Sequence, residues 1–187
     1  MGTWFTRSEK SDEAWAEAFQ AGSQQAFEAL YHRHQAKLFT LCLRNLGQNR
    51  AEDCLQEIFM ALYTALPGFR GQAKFKTWMY KIALNCISRH YGPDPEPLDP
   101  DMEGSLRHQP EPTLNLWLEQ AITALPHGYR HVLLLHDVAG FKHDEIGEIL
   151  GITAPTSRSQ LARARTNLRT LMVRQQKKEI GHEKAIG

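Results

Sequence analysis

Apolar residues recur at three- and four-residue intervals along most of the chain, and no segment alternates with period two, so the sequence predicts an all-α protein. A first helix is expected from Ser11 to just before Gly22, and a second from Ser23 to just before Gly47; each has a capping hydroxyl in front and a glycine behind. A third should begin after Asn49, with Glu52 as capping-box partner, and run to Leu66, where Pro67 and Gly68 stop it. Beyond the loop Phe69 to Lys74, Phe75, Trp78, Met79, Ile82, Ala83, Cys86 and Ile87 form a single helical stripe. The other face carries Lys76, Thr77, Tyr80, Lys81, Asn85, Ser88 and Arg89, all hydrogen-bonding or basic. Trp78 is expected in the core beneath that face, and Tyr80 and Lys81 on the surface.

The periodicity breaks at residues 92–112, where six prolines and six acids occur with almost no apolar side chains. Such a stretch cannot offset the entropy of ordering and is expected to be a flexible acidic linker. Helical spacing returns at Leu114, Trp117, Leu118, Ala121, Ile122 and Leu125, then from His127 to Asp137, with a stop near Gly140. From Phe141 the pattern is helix, tight glycine turn at Gly151, and basic helix capped by Thr153. This is the helix-turn-helix arrangement, whose second helix enters the DNA major groove. With Leu161, Ala164 and Leu168 inward, Thr156, Arg158, Ser159, Gln160 and Arg163 lie near the groove-facing end. Arginine bonds guanine in bidentate fashion and glutamine bonds adenine likewise, while hydroxyls suit phosphate contacts.

At 187 residues and 42% apolar, the chain can bury two small cores. Domains are expected at 1–91 and 113–187, joined by the linker. Overall charge is +1, but the three pieces carry +3, −5 and +3. No acid lies between Glu57 and Asp94, a span holding Arg70, Lys74, Lys76, Lys81 and Arg89, and a second acid-free run covers Ala154 to Lys178. Two basic runs, one at the end of each domain, point to a polyanion partner. Cys42, Cys54 and Cys86 are far apart and odd in number, which argues against a disulfide framework and for a reduced, cytoplasmic setting. No apolar run is long enough to span a bilayer, and the first residues lack a signal peptide's apolar segment. His127 and His131 have a spacing that could share zinc, yet no carboxylate or cysteine joins them at ligand distance in sequence. Neither a phosphate-cradling glycine loop nor a nucleophile elbow is present, so no cofactor, metal, small-molecule substrate or catalytic residue is expected.

From about Ala26 to Leu171 the chain resembles the extracytoplasmic-function class of bacterial sigma factors, in the sigma-70 family. "AEDCLQEIFMALYTAL" followed by "FRGQAKFKTWMYKIALNCISRHY" is similar to that family's region 2, a helical bundle, and "LPHGYRHVLLLHDVAGFKHDEIGEILGI" with "TSRSQLARAR" to its helix-turn-helix region 4. The resemblance implies that Asp53, Gln56, Glu57 and Phe59 dock on the clamp coiled coil of core RNA polymerase. It implies that Phe69, Arg70 and Lys74 of the loop, with Lys76, Trp78, Tyr80, Lys81 and Asn85, capture an unstacked base of the single-stranded −10 element. Extruding a base costs a few kcal/mol and stacking returns about 1–3 kcal/mol. Thr156, Arg158, Ser159, Gln160 and Arg163 would read the duplex −35 element. It further implies an anti-sigma partner, and a linker that threads toward the catalytic cleft. The chain departs from the family pattern at Pro155, at Ser157, where an apolar anchor is usual, and at Gly147, where alanine is usual and helix propensity falls by about 1 kcal/mol. A stand-alone helix-turn-helix regulator is the alternative, but it gives "EDCLQEIF" and the first acid-free run no role.

Overall fold

The computed structural model describes residues 10–92 and 114–186, with side chains described except at 114–117, 120 and 174–186. Most of the expected acidic linker, and the basic side chains Arg174, Lys177 and Lys178, lie outside that description. Every regular element among the described residues is helical.

The first four helices are α1 (Asp12–Gln20), α2 (Gln24–Leu46), α3 (Gln48–Ala65) and α4 (Phe75–Arg89), with a 3-10 turn at Leu66–Gly68. Ser11 caps α1 by accepting from Ala14 N, and α2 ends at Gly47 as the glycine signal predicts. α3 starts one residue after Gly47, so Asn49 lies inside the helix and the expected Asn49–Glu52 capping box does not form. Leu38, Cys42, Cys54, Ile58, Met79, Ala83 and Ile87 from α2, α3 and α4 are almost completely buried in the centre of this bundle.

The second group is α5 (Leu114–Thr123), α6 (His127–Leu133), α7 (His143–Leu150) and α8 (Ala154–Ile186). α6 continues through a π-helical turn, Leu134–Val138, which leads the chain to Gly140 and buried Phe141. Gly151 adopts φ +69° and ψ 32°, the left-handed conformation the tight turn between α7 and α8 demands. Thr153 Oγ1 accepts from Thr156 N at 3.2 Å and starts α8.

The two groups pack on each other. Phe141 meets the Tyr80 ring edge-on at 4.9 Å, and Lys76 Nζ lies 4.3 Å above Phe141 and donates to Ala139 O at 2.6 Å. Farther along the seam, Arg130 of α6 is 2% exposed and donates to the carbonyl oxygens of Asn45, Leu125 and Thr123. Tyr91 joins both groups: its hydroxyl donates to Asn45 Oδ1 at 2.5 Å and bonds His131 Nε2 at 2.7 Å, while its ring stacks on His127 at 3.6 Å. The histidine pair whose spacing suits zinc is thus engaged by a tyrosine.

Candidate functional site

On α3, Asp53, Gln56 and Glu57 are exposed, and Phe59 is buried with its ring 4.4 Å from that of Tyr31. Helical periodicity explains why: Cys54, Ile58 and Leu62 take the core stripe with Phe59 on its flank, and Asp53, Gln56 and Glu57 rotate outward. Between α2 and α3 lies an apolar groove of about 510 Å³, formed by Phe27 and Tyr31 of one helix and Gln56, Phe59, Met60 and Tyr63 of the other. Met60 is 71% exposed and Tyr63 44%, unusual for large apolar side chains beside a core. Sequence reasoning identified Gln56 and Phe59 but missed Met60 and Tyr63, whose signal was the extra apolar width of α3 beyond its core stripe. Glu57, though exposed, is engaged by neighbouring basic side chains. It meets His90 Nε2 at 3.1 Å and Arg89 at 3.7 Å, tying α3 to the end of α4.

The loop after α3 holds Arg70 and Lys74 in the open, above a cluster of three aromatic rings. Phe69 and Trp78 lie 4.9 Å apart and Phe75 and Trp78 5.5 Å apart, with Trp78 half-buried on the core's edge, in line with its place on the apolar stripe. Lys81 and Asn85 face outward. Two positions differ from expectation. Thr77 and Tyr80, assigned to the polar face, are 5% and 2% exposed, and Tyr80 is covered by Phe141 where α7 packs on α4. Burial pushes the Tyr80 hydroxyl up to about 12, and desolvation lowers the Lys76 ammonium from its usual value, with Lys37 adding repulsion. Lys74 pairs with Glu145 of α7 at 2.9 Å. Glu145 also accepts from Lys142 N at 3.0 Å; this N–H first, and then Lys74, hold its carboxyl below the usual range.

On α8, Arg158, Ser159 and Arg163 are exposed, whereas Thr156 is half-buried beside Thr153 and Gln160 is half-buried against Gly128 of α6. Arg163 reaches Tyr129 Oη at 3.3 Å, and Arg165 pairs with Asp137 at 2.6 Å. The departure at Ser157 has a structural answer. Its side chain is fully buried, and its hydroxyl is bonded to His143 Nδ1 at 2.9 Å, so a polar brace stands where an apolar anchor is usual. Gly147 likewise has a reason. A Cβ there would sit 2.7 Å from Ile152 O, so the turn closes too tightly for alanine.

A helix-turn-helix with open arginines on its second helix, behind a basic helix over an aromatic cluster, defines a class of DNA-binding transcription proteins. Family descriptions narrow it: "Sigma-70 region 2" matches residues 30–92 and "Sigma-70, region 4" matches residues 115–168. The chain is 32% identical over 174 residues to the ECF RNA polymerase sigma-E factor of Escherichia coli K12, covering 83% of this chain and 91% of that one. It is 29% identical over 177 residues to the RNA polymerase sigma-H factor of Pseudomonas aeruginosa, covering 84% and 92%. The protein belongs to the extracytoplasmic-function sigma factors of the sigma-70 family. Its fold is similar to that of CnrH solved in complex with the cytosolic domain of CnrY (TM-score 0.70, 24% identity, 87% and 97% covered). It is also similar to that of RpoE from Bartonella quintana, solved with the anti-sigma factor NepR (TM-score 0.60, 20% identity, 78% and 96% covered).

Proposed function

We propose that this sigma factor binds core RNA polymerase through α3, directs it to −10 and −35 elements and assists melting, with no catalysis of its own. The observation that carries the polymerase contact is the α2–α3 groove, where exposed Met60 and Tyr63 sit beside Gln56, with exposed Asp53 two helical turns before Met60 on α3. An apolar cleft flanked by acids suits an amphipathic helix with basic flanks, as the polymerase coiled coil would present. The domains run from 1–91 and 113–187 with 92–112 as linker, and the protein acts in the cytoplasm.

The −10 element is taken by Phe69, Arg70, Lys74, Lys81 and Asn85 over the Trp78 cluster. Lys76 and Tyr80 join once α7 leaves α4, because Phe141 and Ala139 hold them in the packed form. Arg158, Ser159 and Arg163 read the −35 duplex, supported by Thr156 and Gln160. CnrH and Bartonella RpoE were solved with CnrY and the anti-sigma factor NepR, and we extend control by such a partner to this chain. Run-off transcription with purified core polymerase on a promoter library is the test: initiation dependent on this protein supports the reading, and its absence on every template rejects it.

A further inference from the structure

α1 touches the loop between Leu66 and Phe75 at both ends. Gln20 Nε2 donates to Leu66 O at 3.0 Å and to Phe69 O at 2.7 Å, using both amide hydrogens on the two carbonyls that open the loop. At the other end, Glu13 Oε1 accepts from Phe75 N at 3.0 Å. α4 needs that acceptor, for its N-cap is Lys74, which makes no side-chain cap, and its first turn holds no acid. Glu13 and Gln20 are seven positions apart, so they share one face of α1, separated by about 10 Å of helix rise. α1 is itself anchored: Asp12 lies 2.8 Å from Arg33 Nη1 and 3.0 Å from His34 Nε2.

We propose that Gln20 and Glu13 are positioning residues for −10 recognition, fixing the two ends of the base-capturing loop from a helix that need not touch DNA. This rests on the reading of residues 69–74 as the −10 site. Gln20 is exposed, and its neighbour on the loop is main chain, so its bonds contribute little to the core. Their effect is to hold the carbonyls of Leu66 and Phe69 in place, and with them the ring of Phe69 against Trp78 and Phe75.

The test uses holoenzyme and a duplex library randomised at both promoter elements, with transcripts sequenced to give base preference at each. Gln20→Glu keeps the shape but sets a carboxylate against two carbonyls; Gln20→Ala removes the donors alone; Gln20→Lys restores donors. Losing two hydrogen bonds should lower −10 selectivity about tenfold in Gln20→Glu and less in Gln20→Ala. The −35 preference and core polymerase affinity should hold, and Gln20→Lys should recover most of the loss. An unchanged −10 preference in Gln20→Glu overturns the proposal, as does a parallel loss at −10 and −35. Arg70→Ala and Lys74→Ala separate the two layers of inference. If they flatten −10 preference while Gln20→Glu does not, the role of α1 fails; if neither they nor Gln20→Glu alter it, the loop's assignment fails with it.

Discussion

A methyl group added at Gly147 would meet the carbonyl oxygen of Ile152 at 2.7 Å, while Ile152 N already donates to Gly147 O at 3.2 Å. Helix propensity favours Gly147→Ala by about 1 kcal/mol, but overpacking against backbone costs about 1–3 kcal/mol, and main chain cannot turn aside as a side chain would. Gly147→Ala should therefore lower unfolding stability, and urea denaturation should show the midpoint falling; a rise would mean the turn relaxes freely. The His143–Ser157 bond leads to a pH prediction. Desolvation, then His136 stacked at 4.8 Å and Arg158, hold the His143 pKa below its ordinary 6.5, with Asp144 opposing and Arg165 reinforcing. A histidine depressed in the fold takes up its proton more readily when unfolded, so stability present above pH 6.5 declines as pH falls from there toward the lowered value. Thermal melting between about pH 7 and 5.5 should show that decline, and His143→Gln should flatten it. An equal slope in His143→Gln would reject the assignment.

At the level of elements, α3 faces two ways. Cys54, Ile58 and Leu62 are committed to the core, while Met60 and Tyr63 remain beside an apolar groove. Met60→Glu places a charge where a partner helix must lose water, so core polymerase affinity should fall about tenfold or more with stability changed by less than about 0.5 kcal/mol. Competition binding against wild-type protein, with a denaturation curve alongside, checks both; unchanged affinity would move the docking site elsewhere. The helices themselves were legible because periodicity, the Ser11 cap and the glycine stops are local signals. α3 starts directly after Gly47, with Gln48 and Asn49 already helical, which removes the capping role given to Asn49. What stayed hidden was tertiary: Tyr80 lies on a flank of α4 that reads as polar, yet Phe141, some sixty residues on, covers it. The Gln20 and Glu13 bonds were hidden for the same reason, since a side chain bonding distant main chain leaves no periodic trace.

For the whole molecule, the packing of α7 on α4 sets the proposed −10 face and the helix-turn-helix in competition. On the proposed −10 reading, Lys76 and Tyr80 are withheld from DNA while Ala139 and Phe141 engage them, and Lys74, though exposed, is drawn toward Glu145. The Lys74 end of the Lys74–Glu145 pair stands in solvent, so the pair is a weak tie that salt screens further. Phe141 is the stronger tie, 4% exposed and in contact with both Tyr80 and Lys76. Phe141→Ala should therefore shift the population toward separated halves. Small-angle scattering should give a larger radius of gyration, and the free factor should bind a single-stranded −10 oligonucleotide about tenfold more tightly if the seam loses some 1.4 kcal/mol. The Arg130 and Tyr91 contacts bridge the same two groups farther along, so Tyr91→Phe, which removes the hydroxyl bonds to Asn45 and His131, should add to the opening. An unchanged radius in the double variant Phe141→Ala, Tyr91→Phe would mean the halves are held by packing along α2 and α5, and tighter oligonucleotide binding at that unchanged radius would mean that −10 access does not depend on parting α7 from α4.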